Sequence, residues 1–101
     1  MLTSKQRAQL KGLASTLDTI VHVGKGGVSE AVVRQTDEAL TARELVKGRV
    51  LENSMLTAKE TVQMLAEACS AEPVQAIGSK FVLYRENPDM DKEKKIKLVK
   101  G

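Results

Sequence analysis

Aromatic side chains are almost absent from this chain. Phe81 and Tyr84 are the only two in 101 residues, and there is no tryptophan. Proteins that grip unpaired bases by stacking present rings on the binding face. Any nucleic acid held by this chain is therefore expected to be held through its backbone. Cysteine is as scarce: Cys69 stands alone, which excludes an internal disulfide. It falls on the apolar face of a predicted helix and reads as a small core residue, not a nucleophile. One histidine and one cysteine fall short of a nitrogen–sulfur zinc set, and no carboxylates have calcium-loop spacing. No metal and no cofactor is expected. No apolar run approaches the length that spans a bilayer. The opening Met1-Leu2-Thr3-Ser4-Lys5 lacks the apolar core of a signal peptide. The expectation is a cytoplasmic protein, without a membrane, acting as a monomer. Excess charge is small too. Residues 1–87 hold 11 basic and 10 acidic side chains, and residues 88–101 hold five against three. Net charge alone does not argue for a polyanionic partner, so any basic surface has to arise by clustering in the fold.

What is present is a regular alternation of element signals. Thr3 and Gln6 have capping-box spacing, and Leu10, Leu13, Ala14 and Leu17 follow at helical intervals, predicting a helix over 3–15. Its exposed face carries Lys5, Arg7 and Lys11. Ile20-Val21-His22-Val23 is a short β-branched run and reads as a buried strand. A second helix is predicted over 29–43, capped by Ser29 or Gly27, with Thr36 on its apolar face in need of a local hydrogen bond. Residues 45–51 read as a strand with Val46, Gly48 and Val50 on one face and Lys47 and Arg49 on the other. Thr57 and Glu60 form a second capping box that opens a helix with Val62, Leu65, Ala66 and Cys69 along its stripe. Residues 74–77 and 81–85 flank Gly78-Ser79 as a hairpin. The order is α-β-α-β-α-β-β, an α/β chain of the α+β-like two-layer kind with one four-stranded mixed sheet. Helices are expected on one face of the sheet, with the other partly open. Residues 1–86 make one domain, and the Lys-rich residues 87–101 are expected to be a mobile tail.

The most informative stretch is Val23-Gly24-Lys25-Gly26-Gly27-Val28, between the first strand and the second helix. Three glycines in four positions mean that the backbone turns sharply or lies close to something. A glycine-lysine turn that opens a helix offers free amides, the positive end of the helix dipole and an ammonium, a set suited to phosphate. It is not a nucleotide P-loop: the lysine comes between the first two glycines, and no Ser or Thr follows it. The dinucleotide fingerprint fails as well, because position 29 is Ser. Two readings remain for the loop itself, a tight strand-to-helix connection or a Gly-x-x-Gly clamp of the kind with which KH domains hold a sugar-phosphate backbone. The lysine in the loop and the cationic face of the following strand favour the clamp. His22 alternates with Val21 and Val23 and reads as a structural residue on a strand face. No nucleophile–base or metal constellation can be assembled, so the chain is not expected to be an enzyme.

These residues also carry a resemblance. The chain resembles the stand-alone bacterial CRM domain proteins, the YhbY-like family of chloroplast RNA splicing and ribosome maturation domains. The likeness runs from about Leu2 to Arg85. It includes Leu2-Thr3-Ser4-Lys5-Gln6-Arg7, then Val23-Gly24-Lys25-Gly26-Gly27 with Val28. It continues through Glu44-Leu45-Val46-Lys47-Gly48-Arg49-Val50 and ends with Val74-Gln75-Ala76-Ile77-Gly78 leading to Leu83-Tyr84-Arg85. Three positions depart from the pattern: Ser15 follows Ala14 where His is frequent, Arg43 stands in place of a second His, and Gly48 replaces a larger apolar residue. The resemblance implies a fold similar to the C-terminal domain of translation initiation factor three. It also implies binding of structured RNA, with ribosomal RNA in precursors of the large subunit as partner. It makes the loop Gly24, Lys25, Gly26 and Gly27 the expected RNA contact, with the amides of Gly26 and Gly27 on a phosphate. Lys5, Arg7, Lys47 and Arg49 are the expected extension of that contact. A second function stays open: an adaptor that docks on a ribosomal protein or assembly factor.

Overall fold

A computed structural model describes residues 2–100. Seven elements follow in chain order: α1 (Ser4–Ala14), β1 (Val21–Val23), α2 (Glu30–Arg43), β2 (Leu45–Val50), α3 (Ala58–Cys69), β3 (Glu72–Ile77) and β4 (Lys80–Tyr84). The helix starts are set by local chemistry. At α1 the Gln6 amide donates to Thr3 Oγ1 and the Thr3 amide donates to Gln6 Oε1, both at 3.1 Å. The same reciprocal pair, Thr57 with Glu60, opens α3 at 2.9 and 3.1 Å. Each box satisfies two amides that a helix leaves without partners. Ser29 caps α2 by accepting from the Val32 amide. Thr36, fully buried, donates to the Val32 carbonyl at 2.8 Å, which is the local bond its position demands.

The strands form one sheet in the order β1-β2-β4-β3. β1 and β2 are parallel, joined through α2; β4 lies antiparallel to both β2 and β3. The strand that closes the hairpin is therefore inserted between β2 and β3. The two faces separate by alternation. Val21, Val23, Val46, Val50, Phe81 and Leu83 point toward α2 and α3 and share a core with Leu40, Val62, Leu65 and Cys69. The tightest contact in that core explains Gly48. A Cβ there would sit 2.2 Å from Phe81 Cζ, so the ring of the paired strand occupies the place a side chain at 48 would take.

The expectation that the helices share one face holds for α2 and α3 but not for α1. Leu10 and Ala14 of α1 pack with Leu45, Val74, Val82 and Tyr84, the side chains that point away from α2 and α3. A helix without a βαβ crossover on either side is free to cover the opposite face, and its apolar stripe finds the second half of the alternation there.

The sequence reading makes residues 87–101 a mobile tail. In the structure, residues 87–100 run back over the α1 side, and Ile96 and Leu98 pack onto the second core. The anchor is Glu44, fully buried, where α2 passes into β2 with φ of 64°. Its carboxylate accepts from the amides of Asn87 at 2.7 Å and Ile96 at 2.8 Å, and from Lys95 Nζ at 3.2 Å. Burial pushes the Glu44 carboxyl upward, but those two amides and the ammonium outweigh it and hold it below its ordinary value. Gln9 and Gln6 of α1 add bonds to the backbone of Lys97 and Val99.

Candidate nucleic-acid interface

The loop from Gly24 to Gly27 leaves the end of β1 as a turn in which the Gly27 amide donates to the Gly24 carbonyl at 3.0 Å. Lys25 and Gly26 are its exposed tip. The three glycines serve different ends. A Cβ at Gly24 would lie 3.2 Å from Asn53 Oδ1 and 3.5 Å from Leu51 Cδ1, so the loop is pressed against the segment that follows β2. Gly27 has φ of +64°, a conformation that side chains resist. Gly26 has neither constraint: nothing lies within 4 Å of the place its Cβ would occupy. Backbone conformation therefore favours glycine at 27, position 24 has little room beside the Asn53 side chain, and the fold does not require glycine at 26. The amides of Lys25 and Gly26 donate to no group among the described residues. The Gly27 amide, expected from the sequence to be offered outward, is consumed inside the turn.

The basic side chains divide into two groups. Arg49 lies on β2 one position before Val50, and Val50 pairs with Val23, the residue that leads into the loop. It is exposed and lies at the same end of the sheet as Lys25. Lys47 is two residues back on the same face, half-buried, with its ammonium 3.5 Å from the Ala14 carbonyl at the C-terminal end of α1. Lys5 and Arg7 are at the other end of α1. Arg7 is half-buried and donates to the Pro73 carbonyl, near the start of β3. The Pro73 end of the sheet pairs with Leu83 and Tyr84, and the loop end with Lys80 and Phe81. So the structure gathers Lys25 and Arg49, with Lys47 behind them, and separates Lys5 and Arg7 from the loop.

An imidazole and a cation at the loop end escape a reading of the sequence alone. His22 is exposed and pairs with Arg49 across the β1–β2 ladder, and Lys80 pairs with Arg49 across the β2–β4 ladder. The alternation of β4 already puts Lys80 opposite to Phe81. Its neighbour could not be read, because that depends on β4 being inserted beside β2. Next to Arg49 is a cavity of about 420 Å³ whose lining includes Leu51, Leu56, Ser54 and Ser79.

Cys69 is buried and its thiol is pushed up by burial and by Asp37, with the Arg85 charge acting in the opposite sense; its Sγ is 3.8 Å from the Val33 carbonyl. Among the described residues no group of three His, Cys, Asp or Glu could hold a metal ion, and no helix is long and apolar enough to cross a membrane. Arg85, part of the family-like stretch, serves the fold: it binds Asp37 Oδ1 at 2.6 Å, the Cys69 carbonyl at 2.8 Å and Thr41 Oγ1 at 2.9 Å, tying α2 to α3.

Comparison with known proteins identifies the family. The CRS1 / YhbY (CRM) domain pattern matches residues 2–85. Probable RNA-binding protein YqeI of Bacillus subtilis is 40% identical over 89 residues, which cover 88% of this chain and 93% of that protein. An RNA-binding protein of Haemophilus influenzae is 36% identical over 84 residues, covering 83% and 85%. The solution structure of the hypothetical protein SAV1595 from Staphylococcus aureus matches with a TM-score of 0.80 at 44% identity, covering 98% of this chain and all of that one. With one domain pattern spanning α1 to the end of β4, and the same fold in a relative at this identity, the chain belongs to the CRS1/YhbY (CRM) domain family.

Proposed function

We propose that this protein binds RNA through the Gly24–Gly27 loop and the cations beside it, and that its partner is ribosomal RNA in precursors of the large subunit. RNA binding is supported by the relatives named above; the ribosomal partner is what membership of the YhbY-like family implies. The observation that carries the loop's role is Gly26. It is a glycine that the fold does not need, at an exposed turn, with a free amide and a lysine beside it. A position kept open and flanked by a cation suits the close approach of a phosphate. Lys25 adds a mobile point charge, and Arg49 adds a planar donor that can hold a phosphate with two bonds. Lys47 contributes field from behind. Lys5 and Arg7 lie too far along α1 to share a phosphate with the loop, and their contribution is at most to the general potential.

The test is binding to purified ribosomal RNA as a function of salt. If about four phosphates of a single-stranded segment are neutralised, log affinity falls against log salt with a slope near −3. Lys25→Ala and Gly26→Asp should each weaken binding about tenfold or more and leave the melting temperature unchanged. Unaltered binding by both variants, or a flat salt response, would sink this reading. The adaptor reading is favoured by one observation: Met55 and Ile77, near the loop end, are 92% and 65% exposed. Sedimentation with ribosomal particles that survives complete nuclease digestion would support it.

A further inference from the structure

We propose that the RNA strand is tracked across the open face of the sheet by a row of two cations and an imidazole, Arg49, Lys80 and His22, on three adjacent strands. The ligand of this row is the phosphodiester backbone of a single strand. The inference rests on the reading that the loop binds RNA, and it gives the strand a direction: away from the loop across β1, β2 and β4, not along α1.

The row follows from the register. His22 pairs with Arg49, and Arg49 pairs with Lys80. The neighbours of each in its own strand, Val21 and Val23, Gly48 and Val50, and Phe81, face the core with α2 and α3 or lie against it. The three side chains therefore leave the sheet on the same side. Adjacent strands lie about 4.8 Å apart, so the row spans about 10 Å across the sheet. Isolated surface cations are usually just solvated. Here polar side chains from β1, β2 and β4 converge on one line beside Lys25 in the loop.

Two further facts make this row available to a ligand. First, none of the three side chains has an ion pair or hydrogen bond among the described residues. Arg85 and Lys95, by contrast, make several bonds each within the fold. Glu52 lies near Arg49 in the lining of the adjoining cavity but forms no ion pair with it. Second, the row is uncovered. α1 reaches only as far as Lys47, whose ammonium meets the Ala14 carbonyl, and the next outward position on β2 is Arg49. All three side chains are exposed. Ile77, which pairs with Lys80, ends the row with an exposed apolar surface against which a ribose or base can rest. With Phe81 and Tyr84 both buried, such aliphatic contact takes the place of stacking on a large aromatic ring.

The experiment is fluorescence anisotropy with a labelled oligouridine of about twelve nucleotides, at several salt concentrations and pH 7. The proteins are the wild type, Lys80→Gln, the double variant His22→Gln/Lys80→Gln, and Lys5→Gln. Lys80→Gln should flatten the salt slope by about 0.7, the contribution of one phosphate on a single strand. The double variant should bind about tenfold more weakly, with an unchanged melting temperature. Lys5→Gln should bind like the wild type. The track is overturned if the double variant binds normally, if Lys5→Gln loses as much as Lys80→Gln, or if the wild type does not bind oligouridine at low salt. In each of those cases the loop reading still stands, provided ribosomal RNA binding depends on Lys25 and Gly26. If that dependence is missing as well, both readings fall.

Discussion

The two ends of the sheet use charge in opposite ways. At one end Glu44, Arg85 and Lys95 are tied into the fold. Glu44 accepts two amides and an ammonium, Arg85 bridges α2 to α3, and Lys95 also meets Glu86 at 3.3 Å. At the other end the side chains of Lys25, His22, Arg49 and Lys80 have no partner among the described residues. Composition does not distinguish the two ends. What separates them is whether a charge is spent inside the fold or left free for a ligand, and that is why a net charge of +3 carries so little information.

The contrast predicts that the two ends fail differently. The largest effect is expected at Glu44. Glu44→Ala leaves the amides of Asn87 and Ile96 without their acceptor and removes one of the three acceptors of the Lys95 ammonium, a loss of about 3 kcal/mol. Thermal unfolding should shift down by more than about 10 °C, while the folded protein keeps its RNA affinity. Hydrogen exchange should show the amides of 95–99 losing protection first. If Glu44→Ala cost nothing in stability but weakened RNA binding, the division between the ends would be wrong.

A somewhat smaller loss is expected from Gly48→Ala. Its Cβ would collide with the Phe81 ring, and overpacking of this kind costs about 1–3 kcal/mol. Phe81→Leu in the same chain should recover part of the loss, because it vacates the space above position 48. Chemical denaturation of the single and double variants measures the coupling. Gly26→Ala is the control, since no atom opposes its Cβ; its stability should stay within about 0.5 kcal/mol of wild type.

The mildest test is acid. Glu44 is held below its ordinary value of 4.5 in the folded protein. A carboxylate so depressed contributes stability that is fully present above the unfolded value and is lost as pH falls through the folded one. Unfolding free energy should therefore decline below about pH 4.5, with the decline shallower in Glu44→Gln. Equal acid sensitivity in the two proteins would remove Glu44 from the account.

Much of the local structure was legible in the residues. Both capping boxes, the Ser29 cap, the Thr36 back-bond and the Gly78-Ser79 hairpin act within a few positions, so spacing alone determined them. The glycine loop could be recognised for the same reason, and so could its failure to match a P-loop. The partners of those elements were not legible, since they depend on which strands become neighbours. Only the insertion of β4 between β2 and β3 puts Lys80 beside Arg49 and the Phe81 ring over Gly48. Only the packing of α1 on the second face draws Arg7 away to Pro73 and gives Ile96 and Leu98 a surface. The sequence by itself determined the elements, their caps and the loop that suits a phosphate, because those rest on contacts a few residues long. Tertiary structure decided which glycine is left open and which cations remain free, because both depend on contacts between residues far apart in the chain.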